Sequence, residues 1–331
     1  LGGIIMKKDL KWAVLGTGVI ANEMAQALQK MGKKLYAVAN RTYDKAVEFA
    51  GKYGAEKVYE KIDDMFTDKE SDIIYITTPH NTHIKFMLEA LKNGKHVLCE
   101  KSITLNSEEL EEAVKIAKEK NLILGEAMTI FNMPLYTELS EIVNSGKLGD
   151  VKMIQVNFGS YKEYDMSNRF FNRNLAGGAL LDIGVYAISI TRLFMSSKPD
   201  NVLSQVKYAP TGVDEQVGII MMNKEQQMST IALTLHSKQP KRVVIACEKA
   251  YIEVLEYPRA DKAKIVYTET GKIEEIEEGI TANALQYEMQ NMEKSVKSGI
   301  NQMKLEYTRD VMDIMTNLRK EWGMTYPEEE K

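Results

Sequence analysis

From the start of the chain to residue 125, short apolar runs alternate with stretches of helical spacing. The runs are Trp12–Leu15, Leu35–Ala39, Ile73–Ile76, His96–Cys99 and Leu122–Leu124. Between them, apolar residues recur with helical period over Ile20–Met31, Asp44–Tyr53, His83–Asn93 and Ser107–Lys120. This alternation predicts βαβ units and a parallel sheet. Asn93-Gly94 falls where a helix C-cap is expected. Ser107, followed by Glu108 and Glu109, suits a helix N-terminus through capping and the helix dipole.

After about residue 126 the pattern changes. The spacing predicts a helix over Leu135–Asn144, strand-like alternation at Val151–Phe158, and a long helix from Ala179 to Met195. Candidate strands follow at Val202–Tyr208, Gln216–Met222, Met228–His236, Arg242–Cys247, Tyr251–Glu256 and Lys264–Thr268, with Thr270-Gly271 as a hairpin turn. The charge run Glu274–Glu278 reads as a solvated strand edge or loop. Helices near Ala284–Ser298 and Thr308–Glu321 finish the chain. Grouped strands with segregated helices predict an α+β unit with a mainly antiparallel sheet. The expected division is residues 6–126 and 127–331, packed directly, because no repeat or low-complexity linker separates them.

Composition narrows the function classes. Of 331 residues, 44% are hydrophobic and 27% charged, which fits a globular chain and not a disordered or fibrous one. The formal net charge of −4 gives no bulk attraction for a polyanion, so nucleic acid is not the expected partner. Cys99 and Cys247 cannot make a disulfide framework or a cysteine-rich metal site, and they fit a reducing cytoplasm. No uninterrupted apolar stretch approaches the roughly 20 residues that span a bilayer, so no membrane is expected. Leu1–Ile5 reads as a tail or extra leader, too short for a signal-peptide core.

Chemistry is signalled first at Gly16-Thr17-Gly18-Val19-Ile20-Ala21, between a strand and a helix. Gly16 allows a tight turn, Gly18 lets a pyrophosphate approach the backbone, and Ala21 permits close helix–strand packing. A dinucleotide is the expected ligand. An NAD site usually carries an acid at the end of the second strand; here the segment is Ala39-Asn40-Arg41-Thr42. Arg41 can meet a 2′-phosphate, with Asn40 and Thr42 as hydrogen-bond donors, so NADP(H) is preferred and NAD(H) remains open. The segment Thr77-Thr78-Pro79-His80-Asn81-Thr82-His83 lies at the carboxyl edge of the sheet, which places Thr78, Pro79, Asn81 and His83 beside the cofactor. His80 and His83 lack a ligand pattern, and no metal is expected. Lys101 emerges at the same edge behind Glu100. Asp182 and Tyr186, four apart in Gly177-Gly178-Ala179-Leu180-Leu181-Asp182-Ile183-Gly184-Val185-Tyr186, share a helical face.

The motifs GTGVIA, TTPHNTH, CEKS and GGALLDIGVYAI occur in this order, and the chain resembles the Gfo/Idh/MocA oxidoreductases over nearly its whole length. Its GGALLDIGVY segment and its end, Leu318-Arg-Lys-Glu-Trp-Gly-Met-Thr-Tyr-Pro327, are similar to the dimeric dihydrodiol dehydrogenase branch. The resemblance implies an N-terminal Rossmann domain, and a C-terminal domain whose large open sheet often joins subunits into a homodimer or higher homo-oligomer. It implies NAD(P)-dependent chemistry at the CH–OH carbon of a sugar, polyol or trans-dihydrodiol. Lys101 matches the family's catalytic lysine, Tyr186 the proton donor or acceptor, Asp182 the nearby acid, and Glu100 the residue near the nicotinamide ribose. A neighbouring ammonium favours phenolate, so Lys101 is expected to lower the pKa of Tyr186.

Two departures stand out. Ser102 follows the lysine where many relatives have Pro. Thr129-Ile130-Phe131-Asn132-Met133-Pro134 has no Arg where relatives often carry one, which suggests a less cationic pocket lined by Phe131 and Met133. Arg169 and Arg173 are further candidates for the substrate pocket. Two alternatives stay open: a non-catalytic dinucleotide-sensing regulator, and a redox-neutral NAD-dependent glycosidase.

Overall fold

A computed structural model describes residues 9–330. The segment Leu1–Ile5 and the basic Met6-Lys7-Lys8 lie outside the described residues. Among the described residues, six strands form one sheet: β1 (Trp12–Leu15), β2 (Ala37–Ala39), β3 (Lys57–Val58), β4 (Ile73–Ile76), β5 (His96–Glu100) and β6 (Leu124–Ala127). All pairings are parallel, in the order β3-β2-β1-β4-β5-β6. The order reverses between β1 and β4, and in such sheets a ligand crevice opens beyond the carboxyl ends of the strands at that point.

Helices α1 (Val19–Lys30), α2 (Tyr43–Tyr53), α3 (Ile62–Thr67), α4 (His83–Lys92) and α5 (Ser107–Glu119) complete this layer. Each forms for the reason its sequence suggests. In α1, Ala21, Met24, Ala25 and Leu28 make one buried stripe at helical spacing. In α5, Asn106 is the N-cap, its side chain accepting from the Glu109 amide at 2.9 Å, one residue ahead of the expected start.

After α6 (Pro134–Asn144), strand β7 (Val151–Gly159) opens the second sheet. A π-helical turn, Leu180–Gly184, leads into α7 (Val185–Phe194). Seven further strands follow: β8 (Asn201–Tyr208), β9 (Asp214–Met222), β10 (Met228–Thr234), β11 (Gln239–Cys247), β12 (Ala250–Leu255), β13 (Lys262–Tyr267) and β14 (Ile273–Glu277). Their order is β14-β13-β12-β11-β7-β10-β9-β8, antiparallel throughout except between β7 and β10. The fold is the expected one: a Rossmann-type layer and a large, mainly antiparallel open sheet. The charge run at 274–278 falls largely on the edge strand β14, where charged side chains keep an open edge from pairing further.

The two faces of the second sheet differ. Ile219, Val217, Ile231, Val243, Ile252 and Val254 are buried on the helix side. Leu203, Ile220, Met153, Tyr251, Leu255 and Ile273 lie on the opposite face and are exposed. The stretch Arg173–Phe194 is long and apolar enough to cross a membrane by length and composition, but 78% of its apolar window is buried inside the protein, as in a core helix.

The last two helices, α8 (Ala284–Ser298) and α9 (Leu305–Glu321), return to the first layer. The Trp12 indole in β1 donates to Glu293 in α8 at 2.9 Å. Asn301 donates to the Leu124 carbonyl at 2.8 Å, and Met303 covers Gly125 so closely that a Cβ there would lie 2.8 Å from its side chain.

Candidate active site

The turn after β1 has room for nothing larger than glycine at its first position. Gly16 has φ +107°, its amide donates to the Ala39 carbonyl at 2.9 Å, and a Cβ on it would lie 2.3 Å from Thr77 Oγ1. Thr77 is fixed in turn by donating to the Leu15 carbonyl at 2.9 Å. Gly18 caps α1 without any side-chain cap, and nothing lies within 4 Å of its Cβ position. The first-turn amides of α1 therefore face open space, which is what a diphosphate requires. A cavity of about 870 Å³ runs along this cradle, with Asn40, Arg41, Thr42, Lys45 and Lys52 on its wall. Asn40 donates to the Thr42 carbonyl at 3.0 Å and shapes the loop that presents Arg41. These residues fit a phosphorylated dinucleotide.

A second cavity, of about 490 Å³, adjoins the first and shares Gly18, Thr77, Thr78 and Pro79 with it. Lys101 leaves β5 into this cavity. Its Nζ donates to the Asp182 carbonyl at 2.7 Å, lies 3.3 Å from Asp182 Oδ1, and sits 4.8 Å from the centre of the Tyr186 ring. Asp182 belongs to the π-turn and Tyr186 to the first turn of α7. A single α-helix was expected over this stretch; the wider turn still delivers both side chains to the cavity. The start of the π-turn is held by Asp214, which accepts from the Leu180 amide at 2.6 Å. Gly178 makes this possible, because a Cβ there would lie 2.1 Å from Asp214 Oδ1.

The Lys101 segment is fastened from both layers. His80 Nε2 donates to the Lys101 carbonyl at 3.1 Å, and His83 lies between the carbonyls of Ser102 and Thr78 at 3.0 and 2.7 Å. The Lys101–Ser102 peptide is cis. Ser102 Oγ donates to the Leu181 carbonyl at 2.7 Å, a tie to the second layer that proline could not make.

The electrostatics sort the three groups. Burial pushes the Asp182 carboxyl up, but Lys101 and Arg169 outweigh it and hold the carboxyl below its ordinary value. Burial works against the Lys101 ammonium too, yet Asp182 and Tyr186 raise it, so it stays charged. For Tyr186, burial wins over Lys101 and the pKa rises. Lys101 does pull it down, as expected, but the net shift is upward: a ring packed on Phe158 at 5.8 Å loses too much hydration for phenolate to be favoured. The resting group is a phenol.

Most of the expected site residues meet here, and some do not. Gly16, Thr17, Gly18, Asn40, Arg41 and Thr42 line the first cavity; Val19, Ile20, Glu100, Lys101, Asp182 and Tyr186 line the second; Thr78 and Pro79 border both. Glu100 is held by the Tyr75 hydroxyl. Asn81 turns away, donating to Glu328 at 2.6 Å. His83 is fully buried, borders the second cavity and braces the Lys101 segment. Phe131 and Met133 are core residues, 5% and 1% exposed, and Phe131 packs on Tyr307 instead of the pocket. Arg169 does reach the cavity, with Nη1 3.8 Å from Asp182 Oδ1. Arg173 does not; it donates to the Thr325 carbonyl at 2.9 Å and pairs with Glu330. From the stretch 129–134 only Thr129 lines the cavity, and a cation, Arg259, enters from another segment together with Glu288 and Leu285. No motif marks these three, and only the return of the later segments brings them in. Among the described residues no group of three or more His, Cys, Asp or Glu side chains could hold a metal ion.

Comparison with known proteins agrees with this geometry. Residues 10–128 match the oxidoreductase family with an NAD-binding Rossmann fold, GFO_IDH_MocA, and residues 136–253 match the GFO/IDH/MocA C-terminal domain. Among curated proteins, the trans-1,2-dihydrobenzene-1,2-diol dehydrogenase of Xenopus laevis is 29% identical over 329 residues, covering 96% of this chain and 99% of that protein. Among solved structures, the 3-ketoreductase KijD10 from Actinomadura kijaniata, in complex with NADP and TDP-benzene, superposes with TM-score 0.85 at 18% identity, over 95% and 98% of the two chains. A levoglucosan dehydrogenase in complex with NADH and levoglucosan gives 0.83 at 17% identity, over 94% and 98%. With both of its domains matched in order and a cradle shaped for a dinucleotide, the chain belongs to the Gfo/Idh/MocA family of NAD(P)-dependent oxidoreductases.

Proposed function

We propose that this protein moves hydride and proton between NADP(H), in preference to NAD(H), and the CH–OH or carbonyl carbon of a sugar, polyol or trans-dihydrodiol. The observation that carries the reading is the meeting of Lys101, Asp182 and Tyr186 in the second cavity, which adjoins the dinucleotide cradle. The relatives named above act on a cyclic dihydrodiol and on levoglucosan, both of which offer secondary ring hydroxyls.

The nicotinamide of the bound dinucleotide supplies the hydride chemistry. The chain supplies the rest. In reduction, the Tyr186 phenol gives its proton to the substrate oxygen as negative charge develops there. The Lys101 ammonium, aimed by Asp182, donates a hydrogen bond to the same oxygen and stabilises the phenolate left behind. In oxidation the steps reverse, and Tyr186 takes back the hydroxyl proton. Asp182 stays a carboxylate, which keeps Lys101 charged and pointed. Glu100, Pro79 and Thr78 border the passage in which the cofactor ring is expected to lie.

NADP preference rests on Arg41, with Lys45 and Lys52, and on the absence of an acid at the end of β2. The division at residues 6–126 and 127–331 assigns the cofactor to the first part and the substrate wall to the second. Homodimerisation through the outer face of the second sheet is supported by exposed Leu203, Ile220, Tyr251 and Leu255. A monomer in light scattering at micromolar concentration would remove that part. Both cysteines are free thiols, the state a reducing cytoplasm maintains. The decisive test is a spectrophotometric screen of sugars, polyols and dihydrodiols with both cofactors. Turnover with NADPH or NADP supports the reading. Tight cofactor binding without turnover on any member of the panel rejects it.

A further inference from the structure

The catalytic cavity contains a carboxyl group that the proton transfer does not use. Glu288, on α8, lines the cavity at 2% exposure, and its Oε1 is buried without a hydrogen-bond partner. Arg259 lines the same cavity and holds Glu23 of α1 at 3.0 Å. An unpaired carboxyl taken out of water is costly, and native interiors leave few polar atoms in that state. Such an atom in a ligand cavity marks a place for a ligand group.

The charges on the wall restrict what that ligand is. Lys101 and Arg169 face Glu100 and Asp182, and Arg259 is already paired with Glu23, a balanced set that favours an uncharged molecule. Burial, with Glu100 nearby, pushes the Glu288 pKa well up, outweighing Arg259. A protonated carboxyl both donates and accepts a hydrogen bond, as a hydroxyl does, so the two are complementary. An apolar ring face would leave the Glu288 Oε1 unsatisfied.

We propose that Glu288, assisted by Arg259, is a specificity-determining residue that binds a second hydroxyl of an uncharged, polyhydroxylated ring, at a carbon other than the one being oxidised or reduced. This rests on the oxidoreductase reading above and narrows its substrate class toward sugars and cyclic polyols. A cavity built to bond a hydroxyl rejects an analogue that lacks it, because its own polar groups are then left bare. A hydrophobic wall does not discriminate in that way.

The test compares kcat/KM for D-xylose, D-glucose, trans-cyclohexane-1,2-diol and cyclohexanol in the wild-type, Glu288→Gln and Glu288→Leu proteins, with NADPH affinity as a folding control. In the wild type, the sugars are expected to exceed cyclohexanol by about 100-fold or more. Glu288→Leu should lose roughly 30-fold on the sugars and change less than about threefold on cyclohexanol, while Glu288→Gln, which can still donate and accept, should keep most of the preference. Equal losses on sugars and cyclohexanol, or a sugar preference untouched in Glu288→Leu, would overturn the assignment and leave the oxidoreductase reading standing. A wild-type protein that binds NADPH and turns over none of the four would overturn this assignment, and the wider panel above decides the oxidoreductase reading.

Discussion

The cofactor cradle and the catalytic cavity share a border but are built by opposite means. The cradle is centred on chain-local turns, Gly16 to Ile20, Asn40 to Thr42, and Thr77 to Thr82, with side chains of the adjoining helices completing its wall. Its floor is the glycine turn, its outer wall carries Arg41, Lys45 and Lys52, and its tolerance at the turn is steric, as the 2.3 Å approach at Gly16 shows. The catalytic cavity draws on β5, the π-turn, α7, the segment after β12 and α8. Its groups are buried and its charges are fixed by one another. Backbone geometry therefore decides what docks in the first, and desolvation decides what reacts in the second.

Substitutions should separate the two regions cleanly. The largest effect is expected from Tyr186→Phe, which removes the transferable proton and should lower kcat by about 10²–10⁴-fold. Its NADPH dissociation constant, read by fluorescence, should stay within about twofold of wild type, since the cradle is untouched. Unchanged turnover would remove Tyr186 from the mechanism. Arg41→Ala makes the converse cut. Loss of a charge-assisted contact of roughly 1.5–3 kcal/mol should weaken NADPH by about 10–100-fold and leave NADH nearly as it was. Equal weakening of both would mean that Arg41 is only a solvated loop cation.

Ser102→Ala touches the seam between the layers. It leaves the Leu181 carbonyl without its 2.7 Å partner and should cost about 1–2 kcal/mol in urea unfolding. Because Lys101 is aimed from the same strand end, kcat should fall by up to roughly tenfold with the NADPH affinity unchanged. A change in NADPH affinity alone would show that the seam serves the cradle instead. The smallest signal is in the pH profile. Tyr186 is raised above its ordinary value near 10, so its proton is present throughout the neutral range. The saturating reductive rate should be level from about pH 6 to 9 and fall only as the phenol ionises at higher pH. A decline centred near pH 7–8 would mean that Lys101, not burial, sets the phenol.

How much could be read from the residues follows the same division. Gly16, Gly18 and Arg41 are legible because one turn carries both the motif and the contacts. Lys101, Asp182 and Tyr186 were reachable through the resemblance and through helical spacing, although the turn holding Asp182 is wider than an α-helix. Phe131 was misplaced because nearness in sequence to Pro134 says nothing about which side of the chain meets the cavity. Arg173 was misplaced because its partner, Glu330, lies 157 residues away. Glu288 and Arg259 had no signal, since a lone carboxylate on an amphipathic helix ordinarily faces water. Strand Lys57–Val58, two residues long and partly exposed, was too short and polar to stand out, and the six-residue α3 too brief to show a period.

The bond from Trp12 to Glu293 joins groups separated by 281 positions. A ribosome adding about 5–20 residues per second places the second of them roughly 15–60 s after the first. For that interval the nascent nucleotide-binding layer has a bare indole nitrogen on its central strand and lacks Met303, which covers Gly125. Its completion waits for α8, and removing that helix would be felt at the opening strand.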